Sequence, residues 1–213
     1  MFLERIKTEL FPAVVGDVMD KMGLTKQFLP PQIKPLDDDM VVVGRALTVL
    51  ESDVASAGHS YGLMFDALDD LKPDEVYLAS GMSPTYAMWG GLMSTRAIRL
   101  GAAGAVLNGY HRDTQEIRSL KFPMFSWGGF SQDQGGRGEV TDYRCPLTFQ
   151  NGVTVNPGDI VFGDVDGVVI IPREHERNVV DLALEKVRGE DKVRKAIEAG
   201  MSAKEAFQKF GIF

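Results

Sequence analysis

From His59 to Trp127 the chain alternates helix-like and strand-like stretches, and this alternation restricts the folds open to it. HSYGLMFDALDDL reads as helix, EVYLAS as strand, GLMSTRAIRLG as a helix ending at Gly101, AGAVLNG as strand, TQEIRSL as one or two helical turns and PMFSW as strand. The strand-like pieces are apolar throughout rather than at every second position. Such strands are covered on both faces, which argues for parallel pairing within an α/β layer.

The flanks differ in texture. FLERIKTEL, with Phe2, Ile6 and Leu10 at fourfold spacing, predicts a short amphipathic helix, and AVVGDVMDKMG predicts a second one stopped by Gly23. FLPPQIKPLDDD reads as a surface loop or linker, and MVVVGRALTVL as a strand in which Gly44 marks a bulge or a close approach. After Gly128, EVTDYRCPLTF, GVTV, DIVFGD and GVVIIP are short β segments separated by turn signals, of antiparallel or mixed pairing. A long charged helix is expected from Arg173 to Ala199, and a short one from Ser202 to Phe210 with a Ser202/Glu205 capping box. The long helix is apolar in its first half and charged later, which suits packing on another subunit or a solvated end. We therefore expect one domain over residues 1–213, with helical ends at about 1–24 and 173–213.

Charge and composition exclude several classes. A formal charge of −7 disfavours a general nucleic-acid or anionic-membrane binder. A single cysteine, Cys145, allows no disulfide within this sequence and no Cys-rich zinc site. There is no apolar run long enough to span a membrane, and MFLERIKTELF lacks the apolar core of a signal peptide. A cytoplasmic enzyme or binding protein is expected.

Ligands in α/β layers collect beyond the carboxyl ends of the strands. His111, Arg112 and Asp113 stand there, just after Ala105–Leu107. An arginine fork suits a carboxylate or enolate oxygen, and an aspartate supplies a hard oxygen for Mg²⁺ or Mn²⁺. The same residues fit a helix start, with Asp113 as N-cap and Glu116 three residues on. A second candidate is Gly90-Gly91 ahead of a helix beginning near Leu92, where backbone N–H groups can hold an anion; a tight turn is the blander reading. His59 and His175 have no ligand spacing, and Asp164 and Asp166 are better explained by an Asp-Gly turn. No GxSxG, Walker A or GxGxxG pattern is present.

GGLMSTRAIRLGAAGAVLNGYHRD resembles the core of the RraA-like proteins, which include 4-hydroxy-4-methyl-2-oxoglutarate/4-carboxy-4-hydroxy-2-oxoadipate aldolases. FPMF, Pro157-Gly158-Asp159, GDVDGVVIIP, GMSAKEAFQKFGIF and the early GDVMDKMGL extend the likeness over most of the chain. The resemblance implies an α/β fold, a three-layer β/β/α swivelling domain with N- and C-terminal helices, assembled as a homotrimer or homohexamer with sites between subunits. It implies a small 2-oxo acid substrate and a divalent metal, Mg²⁺ first and Mn²⁺ second, that stabilises pyruvate enolate. Oxaloacetate decarboxylation is a common side activity. By position, Arg112 would bind the 2-oxo acid, Asp113 would hold the metal, backbone amides near Gly90, Gly91, Leu92 and Met93 would take the carboxylate, and Glu190 of a neighbouring subunit would add an acidic group.

The family's aldolases carry an Asp, twenty residues, then Arg-Asp; here Gly91 stands at the first position. Loss of that carboxylate is expected to weaken the hold on metal and water and to widen the pocket, leaving His111 or His59 to move the proton. Decarboxylation of a β-keto acid needs no base for a hydroxyl, so it should outlast retro-aldol cleavage. The expected function is a metal-dependent lyase on 2-oxo acids. The alternatives are a non-catalytic regulator acting by protein contact and an enzyme on a sugar-acid derivative.

Overall fold

The computed structural model describes residues 2–54, 61–81 and 85–211. Helices α1 (Phe2–Glu9) and α2 (Pro12–Lys21) lead into a very short β1 (Lys34–Pro35) and the long β2 (Val42–Asp53). Then α3 (Met64–Asp69), β3 (Glu75–Ser80), α4 (Gly91–Leu100), β4 (Gly104–Leu107), α5 (Thr114–Leu120) and β5 (Met124–Ser126) follow in the expected alternation. Strands β6 (Gly138–Tyr143), β7 (Leu147–Thr148), β8 (Thr154–Val155), β9 (Ile160–Asp164) and β10 (Gly167–Ile171) precede helices α6 (Glu176–Glu198) and α7 (Ala203–Phe210). The long helix thus starts three residues later than Arg173, and Ser202 with Glu205 forms the expected capping box on α7.

The main sheet has the order β1-β5-β4-β3-β2-β9-β10, with β6 on the far half of β2. Strands β2, β3, β4 and β5 pair parallel with one another, whereas β1, β6, β9 and β10 pair antiparallel. Alternation along β3 shows why its residues are apolar throughout. Tyr77 and Ala79 enter the cluster formed with α3, α4 and α5, while Val76 and Leu78 enter the opposite cluster with Phe125, Val161 and Ile170. A third cluster joins Ile6, Val15 and Met19 of α1 and α2 to β9, β10 and the first half of α6. Both faces are buried, as a mixed α/β fold with helices outside a curled sheet requires.

FLPPQIKPLDDD is not a plain surface loop. Phe28 bridges to Val169 of β10, Leu29 N–H donates to Val168 O at 2.9 Å, and Lys34–Pro35 pairs with β5. The segment therefore ties the two ends of the sheet into a nearly closed barrel, with Leu29 and Ile33 buried inside it. Its prolines fit because such pairing uses few of its N–H groups. Of the two readings of Gly44, close approach holds: a Cβ there would lie 2.5 Å from Asp74 O. The irregularity in β2 falls instead at Leu50/Glu51. Among the described residues no helix is long and apolar enough to cross a membrane.

Candidate active site

Beyond the carboxyl ends of β3 and β4, three extended segments lie side by side. Met88 N–H donates to Tyr110 O at 3.0 Å and Arg112 N–H to Trp89 O at 2.9 Å, while Ala87 N–H reaches Gln132 O at 2.8 Å. Trp89 anchors the middle segment: its Nε1–H donates to Ser94 Oγ at 2.7 Å and its ring stacks on Phe122. These contacts fix the loop entering α4 against the loop entering α5.

Side chains alternate along an extended segment, so His111 and Arg112 point to opposite sides. Arg112 enters a cavity of about 210 Å³ that Gly90, Leu92, Met93 and Asp113 also line. His111 turns into the protein, 1% exposed, with Nδ1 2.7 Å from Ser126 Oγ and Nε2 3.0 Å from Thr114 Oγ1. Burial, then the nearby Arg118, lowers its pKa below the usual histidine value. This geometry gives His111 a role in tying the start of α5 to β5, not a place in the cavity with Arg112. His59 lies outside the described residues.

Asp113 occupies the N-cap position of α5 in a left-handed conformation, φ 59°, and its side chain does not cap that helix. Its Oδ2 instead accepts from the Gly91 N–H at 3.0 Å. Aspartate tolerates this left-handed conformation better than most side chains, and here its carboxylate forgoes the local cap to reach a neighbouring helix start. Glycine leaves room opposite it: a Cβ on Gly90 would lie 2.6 Å from Asp113 Oδ2, and the carboxylate would have to move. With no side chain on Gly90 to cap α4 and the Gly91 N–H taken by Asp113, the next amides of that helix, those of Leu92 and Met93, are the ones an anion could reach.

The expected gap at Gly91 is filled. A Cβ on Gly91 would lie 2.1 Å from Glu116 Oε2, so the Glu116 carboxylate stands where a side chain from position 91 would reach. An acidic group from another element thus stands beside Gly91, although neither residue lines the cavity that Arg112 enters. In the sequence Glu116 fits a helix start with Asp113; the signal for a further role is its place one helical turn after Asp113, which puts both carboxylates on one face. Asp133, also unforeseen, holds Arg112: its Oδ1 is 2.9 Å from Arg112 Nη1, and its Oδ2 accepts from Tyr61 OH at 3.2 Å and from Gly135 N–H at 2.9 Å. Burial and then Asp133 raise the Tyr61 pKa.

Behind the cavity wall, Gln134 Nε2–H donates to Glu51 Oε2 at 2.8 Å. Glu51 is fully buried and its Oε1 has no partner. Burial first, with Asp53 adding repulsion against the Gln134 bond, pushes its pKa up to about 8. Glu190 is elsewhere within the chain. It sits on α6 with Lys186 Nζ at 3.2 Å, and Lys186 also pairs with Asp17 of α2. One chain thus brings together Gly90, Gly91, Leu92, Met93, Arg112 and Asp113, but not Glu190 or the His111 ring.

Among the described residues no three His, Cys, Asp or Glu side chains form a ready metal cage. Mg²⁺ does not demand one. It binds through one or two carboxylates while keeping waters or substrate oxygens, and Asp113 with Glu116 meets that need with hard oxygen donors.

A curled mixed sheet with an Arg-Asp pair at a strand exit, facing a Gly-Gly helix start, defines the class. The chain belongs to the RraA-like family (aldolase/RraA), whose family model matches residues 13–170. Protein DlpA of Legionella pneumophila is 29% identical over 199 residues, 93% of this chain but 32% of that protein, so the chain spans about a third of this relative. A Halalkalibacterium halodurans protein provisionally named 4-hydroxy-4-methyl-2-oxoglutarate aldolase is 32% identical over 194 residues, covering 91% of this chain and 87% of its own length. Streptomyces coelicolor RraAS2 shares the fold, with a TM-score of 0.79 at 24% identity over 90% of this chain and 95% of its own.

Proposed function

We propose that the chain is a divalent-metal-dependent lyase acting on 2-oxo acids, a pyruvate-forming aldolase or an oxaloacetate decarboxylase. The observation that carries this reading is the convergence of the Asp113 and Glu116 carboxylates on the backbone of Gly91, beside Arg112. Relatives named as aldolases support it.

Asp113 and Glu116 would hold the cation, Mg²⁺ or Mn²⁺. When bound, it supplies positive charge against the oxyanion that develops as a 2-oxo acid loses its C3–C4 bond. Arg112 presents its guanidinium fork to the substrate's carboxylate and 2-oxo oxygen, and Asp133 holds that fork in place. The Leu92 and Met93 amides of α4 would add fixed dipoles for the carboxylate. Decarboxylation needs no base for a hydroxyl, since CO₂ leaves from an existing carboxylate, and C3 then takes a proton from water to give pyruvate. Retro-aldol cleavage also needs an acceptor for the C4 hydroxyl proton, a role we assign to the Glu116 carboxylate, with C3 taking a proton in return.

The test is pyruvate release from oxaloacetate and from 4-hydroxy-2-oxo acids, in chelator-stripped protein with and without added Mg²⁺ or Mn²⁺. The proposal expects turnover well above the metal-only blank, abolished in Asp113→Asn. Turnover equal to that blank with every substrate would refute it.

A further inference from the structure

The cavity wall beyond Arg112 is apolar. Met64 and Met88 form its floor at 6% and 1% exposure, and Phe65, Leu92 and Met93 surround them. Phe65 and Leu92 remain 59% and 83% exposed, large hydrophobic side chains facing solvent beside a charged site. Methionine side chains adapt to varied apolar shapes, and exposed apolar patches at a cavity mark ligand contact.

Charge points the same way. Among the described residues Arg112 is the one cation lining the cavity, against Asp113 and Asp133. Its Nη1 is already paired with Asp133. The nearby Arg137 is turned to the carbonyls of Asp133 and Gly135. Segments 55–60 and 82–84 contain no Lys or Arg. Arg112, the α4 amides and the bound cation meet the C1 carboxylate and the 2-oxo oxygen, whereas a further carboxylate carried on C4 would be set against methionine, leucine and phenylalanine, with no second cation of this chain among the described lining residues. Leaving a charge unpaired at an apolar wall is costly.

We propose that the substrate is a monocarboxylic 4-hydroxy-2-oxo acid whose distal substituent is apolar, held by Met64, Phe65, Met88, Leu92 and Met93. This rests on the lyase reading above. The chain discriminates against substrates that carry a second carboxylate on C4.

The experiment compares kcat/KM for pyruvate release from 4-hydroxy-2-oxohexanoate and from 4-hydroxy-4-methyl-2-oxoglutarate with Mg²⁺, using oxaloacetate decarboxylation in the same preparation as the reference. Burial of even one or two methylenes in a matched pocket is worth about tenfold or more. A preference of at least tenfold for the aliphatic substrate is expected. Phe65→Arg, at an exposed position, should lower that ratio at least tenfold, and Leu92→Lys provides a second exposed site for the same effect. A ratio below tenfold, with oxaloacetate still turned over, overturns this inference and leaves the lyase reading standing. A ratio unmoved by both variants also overturns it. No metal-dependent turnover of any of the three substrates removes both.

Discussion

The Glu116 carboxylate occupies the place that a side chain on Gly91 would take, with Oε2 2.1 Å from the position of an ideal Cβ. Gly91 begins α4, and Glu116 lies in the first turn of α5. The acidic group expected twenty residues before Arg112 is thus present in space but carried by the helix that follows Asp113. A side chain at position 91 would have to displace the Glu116 carboxylate.

This relationship predicts a reciprocal rescue. Glu116→Ala should lower metal-dependent pyruvate release by about 10–100-fold, the usual cost of losing a group that supports a metal ligand. Gly91→Asp in the parent should not help, because the new side chain must displace Glu116 and crowds a third carboxylate against Asp113. Combined with Glu116→Ala, Gly91→Asp should recover most of the loss. Steady-state rates of the four proteins decide this; additive losses in the double variant would count against it.

Asp113 predicts a separation of stability from activity. Asparagine tolerates the left-handed conformation and its side-chain oxygen can still accept from Gly91 N–H, so Asp113→Asn should change unfolding free energy by less than about 1 kcal/mol. Asp113→Ala places a Cβ residue without a polar side chain at φ 59° and should cost about 1–2 kcal/mol. Both should lose metal-dependent turnover. Urea denaturation beside the rate assay separates the effects, and an active Asp113→Asn would remove Asp113 from the metal.

Arg112 pairs with Asp133 at 2.9 Å, with both side chains more than a third exposed. Such a pair is worth about 0–1 kcal/mol to stability. Arg112→Lys should therefore fold normally, yet lose about 100-fold in kcat/KM because a point charge cannot replace the fork. A lysine variant within threefold of the parent would mean that Arg112 does not orient the substrate.

Glu51 predicts a pH signature. Its pKa rises from 4.5 unfolded to about 8 folded. Between these values the folded chain holds a proton that the unfolded chain has released, so this group's contribution is full below pH 4.5 and declines as pH rises through about 8. The loss is on the order of a few kcal/mol. Glu51→Gln should flatten that part of the dependence, gaining on the parent from pH 5 to 8. Urea midpoints across the range provide the comparison; parallel curves would contradict the assignment.

Much of the architecture was legible because periodicity and turn residues acted locally. Gly101 ends α4 in a left-handed cap, and Ser202 caps α7 with Glu205, both as their neighbours in sequence indicate. Arg112 and Asp113 were legible because strand exits collect ligands. His111 was not separable from Arg112, since adjacency in sequence says nothing of which side an extended segment presents. Glu116 and Asp133 were missed because each meets the site through tertiary contact, across α4 and across the loop of residues 130–135. The proline-rich stretch misled for a related reason: Leu29 and Ile33 are buried in a cluster that includes Phe125, Val161 and Ile170, more than ninety residues away.

The central claim is that Asp113 and Glu116 hold a divalent cation beside Arg112, and Mn²⁺ binding followed by electron paramagnetic resonance tests it most directly. The account predicts one site per chain in the parent, abolished in Asp113→Asn, weakened in Glu116→Ala and regained when Gly91→Asp is added. A parent that binds no Mn²⁺, or a site indifferent to Asp113→Asn, would contradict it.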